Sequence, residues 1–91
     1  MALKQPQPSL IELAGLCLDY LAQNPDKLAE FMSIAGLSPD GLRQAVGSRS
    51  FALGLLDYVV GNEDVLLAVS QSAAIRPETV MQVWAKHNPA G

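Results

Sequence analysis

Shifted by 38 residues, the chain falls on itself. Leu18-Asp19-Tyr20 meets Leu56-Asp57-Tyr58, and with no gap Asn24, Asp26 and Leu28 meet Asn62, Asp64 and Leu66. Further on, Ala35 meets Ala73, Pro39 meets Pro77 and Gln44 meets Gln82, while Leu21/Val59, Phe31/Val69, Leu37/Ile75 and Leu42/Val80 keep apolar character. A solenoid needs three or more copies to bury its faces. Two copies in 91 residues therefore have to close on each other. The expected architecture is all-α: a compact six-helix bundle built from two pseudo-two-fold-related three-helix repeats, about 10–46 and about 48–84.

Helix punctuation supports this division. Gln5-Pro6-Gln7-Pro8 disfavours helix, so residues 1–8 read as a flexible N-terminal arm before a single all-α domain over 9–91. Ser9 is a good N-cap for a helix reaching about Gln23, with Glu12, Asp19 and Gln23 as its narrow polar stripe. Asn24-Pro25-Asp26 restarts the chain, with Asn24 as cap, Pro25 at the first helical position and Asp26 at the positive end of the dipole. That second helix runs to about Ala35 and stops at Gly36. Ser38-Pro39-Asp40 opens a third, to about Val46, with Leu37 and Leu42 placed as a hydrophobic staple. In the second copy Ser48 or Ser50, Asn62-Glu63-Asp64 and Pro77-Glu78 open helices four, five and six, and Ile75 and Val80 repeat the staple. No segment shows the alternation and turn pairs of strands. Gly15 and Gly54 sit near equivalent places in helices one and four. Each costs a helix interior about 1 kcal/mol against alanine, for which a close backbone crossing is one reason and plain tolerance the other.

Composition narrows the function classes. Nearly half the residues are apolar, which excludes a disordered chain. The net charge of −3 disfavours a general nucleic-acid binder, whose affinity rests on Lys and Arg. The single cysteine, Cys17, cannot form an intramolecular disulfide, as fits a reducing compartment. Leu10–Ala22 is too short to span a bilayer and lacks a cleavage site, so a cytoplasmic location is expected, with no membrane partner.

The sharpest chemical coincidence is the repeated pair Asp19-Tyr20 and Asp57-Tyr58. Two carboxylates and two phenols near a pseudo-axis could form a polar site; alternatively each Asp lies on a polar stripe and each Tyr covers the bundle edge. Asn24, Asp26, Asn62 and Asp64 lack the ligand run and closing glutamate of a calcium loop, and capping accounts for all four. One Cys17 and one His87, far apart, give poor support to a Cys–His pair or a zinc site, so a buried, inert thiol and a solvated imidazole are expected. No cofactor fingerprint or small-molecule site is legible. Helices two and three, or five and six, could pass for a helix-turn-helix. A reading helix needs several polar donors, however, and these offer only Arg43 and Gln44, or Gln82 and Lys86. Met81 and Trp84, with Val80 and Val83, give the short helix six more apolar surface than one buried stripe needs. Trp84 can close the core, and the excess can serve protein docking, with Met81 the more exposed of the two.

The run Gly36-Leu37-Ser38-Pro39-Asp40-Gly41-Leu42-Arg43, then Phe51, Leu56-Asp57-Tyr58 and Asn62-Glu63-Asp64-Val65-Leu66-Leu67, resembles domain-of-unknown-function family 3572, a group of short alphaproteobacterial proteins. The resemblance covers about Leu10 to Trp84. It implies origin and length and carries no activity. Met81 and Trp84 depart from the alanine-rich sequence usual at that point. The expected function is a small cytoplasmic interaction module without catalytic activity, binding another protein or itself. The alternative is a specialised DNA-binding or transcription-associated domain.

Overall fold

Helix α4 (Arg49–Gly61) runs through the middle of the molecule and packs against α1 (Leu10–Ala22), α2 (Pro25–Ala35), α5 (Glu63–Ala73) and α6 (Pro77–Lys86). The short α3 (Pro39–Ala45) lies outside this core and buries no residue. The structure, a computed structural model, describes residues 8–87, and all regular elements among them are helices. Residues 1–7 of the expected arm lie outside the described residues. The Cα radius of gyration, 12.9 Å, is close to the roughly 12 Å of a compact chain this long. Among the described residues no helix is long and apolar enough to cross a membrane.

Local chemistry sets the helix ends. Ser9 caps α1 through a full capping box: its hydroxyl accepts from the Glu12 amide at 3.1 Å, and the Ser9 amide donates to Glu12 Oε1 at 3.0 Å. The Ser9 amide first, and the Ser9 hydroxyl second, hold the Glu12 carboxyl below its ordinary pKa. Glu12 of the polar stripe thus also has a structural partner. Ser38 and Ser48 accept from Gly41 and Phe51 amides, each at 3.1 Å, which settles Ser48 over Ser50 as the opening of α4.

Helices α2 and α5 end identically. At the first, the Leu37 amide reaches the Met32 carbonyl and the Gly36 amide that of Ser33; at the second, Ile75 reaches Ser70 and Ala74 reaches Gln71. This is the Schellman pattern, with the residue after the helix in the left-handed region. Gly36 adopts φ 69° freely, but its counterpart Ala74 holds φ 56° with a Cβ.

Asn24 and Asn62 correct the expectation of side-chain N-caps. Neither accepts from the amides of the helix it precedes. Each instead donates backwards from Nδ2, Asn24 to the Tyr20 carbonyl and Asn62 to the Tyr58 carbonyl, both at 2.7 Å. Each junction asparagine therefore closes the C-terminus of the preceding helix, while its own carbonyl accepts the first bonds of the next.

The core is one cluster. Leu13, Cys17 and Leu21 of α1, Leu55, Leu56 and Val59 of α4, Val65 and Val69 of α5, and Val80 and Val83 of α6 are essentially removed from water. Phe31, the one fully buried residue of α2, packs edge-on against Phe51 (5.9 Å between centroids) and tilted against Tyr58 (5.4 Å). Burial is unequal in the two copies. Helix α5 sinks Val65, Leu66, Val69 and Ser70, and α6 sinks Val80 and Val83, where α2 sinks only Phe31 and α3 nothing. Of the two readings of the glycines, plain tolerance is the one that fits. A Cβ at Gly15 or Gly54 would meet nothing within 4 Å, so neither position is a close helix crossing.

Candidate functional site

The repeated Asp-Tyr pairs separate into two unlike arrangements. Tyr58 is buried and its hydroxyl donates to Glu30 Oε1 on α2 at 2.6 Å. Burial, then the bond to Glu30 and its charge, with Tyr20 adding last, push the Tyr58 phenol up to about 12. Tyr20 is half-buried, and Asp19 is exposed with no partner among the described residues. Asp57 accepts from the Trp84 indole N–H, fastening α4 to α6. The phenols thus come within electrostatic reach of each other, but the carboxylate beside Tyr58 is that of Glu30 rather than Asp57. Position 30 has Ala68 as its repeat counterpart, and Trp84 has Val46, so neither contact can occur twice. Glu30 with Tyr58, and Asp57 with Trp84, are thus occupied in holding two helices together.

Met81 and Trp84 divide as their spacing implies. Met81 is 46% exposed, whereas Trp84 is half-buried, packs on the core and spends its N–H on Asp57. Cys17 is fully buried, and burial alone raises its thiol to about 12, which removes the thiolate needed for nucleophilic or redox chemistry near neutral pH. His87 is not simply solvated. It is half-buried, with Nδ1 3.3 Å from a guanidinium nitrogen of Arg49. Nothing in the spacing announces this contact, because the two residues are 38 apart and neither belongs to a motif. Arg43 pairs with Asp40 at 3.6 Å on the exposed α3, and Gln44 beside it is exposed. Among the described residues no three His, Cys, Asp or Glu side chains come together as a metal-ligand set.

Among the described residues, Ile11 stands between two concavities. A small apolar hollow of about 120 Å3 lies between α1 and the start of α4, floored by Ala14, Leu18, Phe51 and Ala52. Ile11 (44% exposed) and Val46 (48%) stand at its lip. Gly15, with no side chain, leaves one wall open. The second, larger cleft lies on the other side of Ile11, where the ends of α1, α4 and α6 meet.

Fold and site together define a small six-helix domain whose polar side chains staple helices and whose free surface is partly apolar. The chain belongs to the family described as Protein of unknown function (DUF3572), whose model matches residues 10–90. No curated protein and no solved structure matches it.

Proposed function

We propose that this protein is a small helical interaction module without catalytic activity, docking another protein or a second copy of itself through apolar helix faces. The observation that carries the reading is the hollow lipped by Ile11 and Val46. At about 120 Å3 it is below the roughly 300 Å3 at which small-molecule sites begin, and its lining is apolar. It suits a single apolar side chain offered by a partner. Met81 adds exposed apolar surface on α6. The apolar side chains around the hollow adjoin one another, and contiguous apolar surface marks interaction sites in soluble proteins. The polar clusters favour no catalytic reading, because Glu30–Tyr58 and Asp57–Trp84 satisfy each other across helix pairs. A reducing, cytoplasmic setting agrees with the lone buried thiol.

We also read the two three-helix units as halves about an approximate two-fold axis. Support comes from the matched asparagine and Schellman bonds at 38-residue offset and from the pairing of α1 with α2 alongside α4 with α5.

Sedimentation equilibrium and affinity capture of the tagged chain from its native cytoplasm test the interaction reading. Wild type should self-associate or retain a discrete protein, and Ile11→Glu or Met81→Glu should reduce this without lowering the melting temperature. Ser72→Glu, at an exposed position of α5, should not. A monomeric wild type whose captured proteins are the same in all four chains would overturn the proposal.

A further inference from the structure

Arg49, Lys86 and His87 converge on one cleft of about 410 Å3, inside the roughly 300–1,000 Å3 range of ligand sites. We propose that this cleft binds a small organic anion, a phosphate monoester or carboxylate, with its apolar substituent laid against Leu10, Ile11 and Val83.

Charge singles out the place. The chain as a whole is acidic, yet among the described residues no Asp or Glu lines the cleft. Elsewhere Arg43 is paired with Asp40 and Arg76 with Glu78, and Lys27 shares a depression with Glu63 and Asp64. Among the described residues Arg49 and Lys86 have no carboxylate within salt-bridge distance. Two positive charges thus face the same space without a counter-charge. Arg49 is also the first residue of α4, the one helix with no acid in its first turn, where the positive end of the dipole opposes a cation. The dipole at the end of α6 accounts for Lys86 but gives no reason for Arg49.

Donor geometry completes the argument. A guanidinium only donates, so His87 Nδ1 accepts from Arg49 and the ring proton sits on Nε2. This contact leaves the other Arg49 N–H groups, the His87 Nε2–H and the Lys86 ammonium as donors. A planar fork beside a point charge is the combination that recognises carboxylate and phosphate oxygens. Leu10 and Val83 are buried and Ile11 is exposed, so the floor and lip are apolar next to these donors. A head that is anionic and a body that is not satisfies both surfaces.

The test is titration of the full chain with inorganic phosphate, phenyl phosphate and benzoate, followed by amide and side-chain nitrogen NMR. Phenyl phosphate or benzoate should shift the Arg49 Nε and His87 signals saturably, with a dissociation constant of about 1 mM or tighter. Inorganic phosphate should bind the same residues more weakly, because it lacks the apolar body. Arg49→Gln should weaken binding about tenfold, as loss of a charge-assisted contact does, and Lys86→Gln should weaken it less. Both variants should melt within a few degrees of wild type, since both positions are exposed. Phenyl phosphate binding stronger than benzoate identifies phosphate esters as the ligand class, and the reverse order identifies carboxylates. Shifts that never saturate, or that persist unchanged in Arg49→Gln, would overturn the proposal.

Discussion

Replacing Asn62 with aspartate separates two roles that look alike in sequence. As an acceptor cap for α5, aspartate would serve as well as asparagine. In the structure Nδ2 donates to the Tyr58 carbonyl at 2.7 Å, and a carboxylate cannot donate. The lost neutral hydrogen bond is worth about 0.5–1.5 kcal/mol. The new charge sits between the negative end of α4 and the positive end of α5, two effects of about 0.3–1 kcal/mol each that oppose one another. Glu63 and Asp64 follow immediately and add repulsion. Asn62→Asp should therefore be destabilised by about 0.5–1.5 kcal/mol, much like Asn62→Ala. At about 4–8 °C per kcal/mol in a domain this size, the melting temperature falls by several degrees. Asn24→Asp should lose at least as much, because Asn24 is half-buried and water replaces its bond to Tyr20 less readily. Urea unfolding of Asn62→Asp, Asn62→Ala, Asn24→Asp and Asn24→Ala is the assay, read at unchanged m. An aspartate variant as stable as wild type beside a weakened alanine variant would restore the acceptor-cap role and refute the reasoning.

Ala74→Gly should raise stability, by up to about 1 kcal/mol, because it relieves a left-handed Cβ and costs only chain entropy; a lower thermal midpoint would contradict this. Gly54→Ala should stabilise by about 0.5–1 kcal/mol, since the added Cβ meets nothing within 4 Å; a destabilised variant would show an undetected crossing. Stability should fall at alkaline pH. The Cys17 thiol and Tyr58 phenol are raised to about 12 in the fold from 9.0 and 10.0, so the unfolded chain loses those protons first. Their contribution is complete below about pH 9 and is lost as pH rises towards 12. Melting curves from neutral to strongly alkaline pH should slope downward, and Tyr58→Phe should flatten the part above pH 10.

What was legible in the sequence is what acts within a turn or two of chain. Ser9 and Ser38 cap where their spacing to the next apolar run places them, the α4 cap falls on Ser48 of the two serines open to it, Pro25, Pro39 and Pro77 open helices, and Gly36 closes one. Exposure of Met81 against the half-burial of Trp84 follows from helical periodicity alone. The direction in which Asn24 and Asn62 point was not legible, because each stands between two helix ends and residue type fits both.

The sequence by itself determined six helices, most of their starts and a repeat that argues against an open array. Only the tertiary structure decided which of two equivalent residues finds a partner. Tyr58 meets Glu30, Asp57 meets Trp84 and Arg49 meets His87 across 27 to 38 residues, while Asp19 has no partner among the described residues. The physical reason is that caps and breakers are satisfied by neighbouring backbone, whereas side-chain pairs depend on how helices cross. Two copies with the same local code pack differently once α5 and α6 sink into the core and α3 stays at its edge.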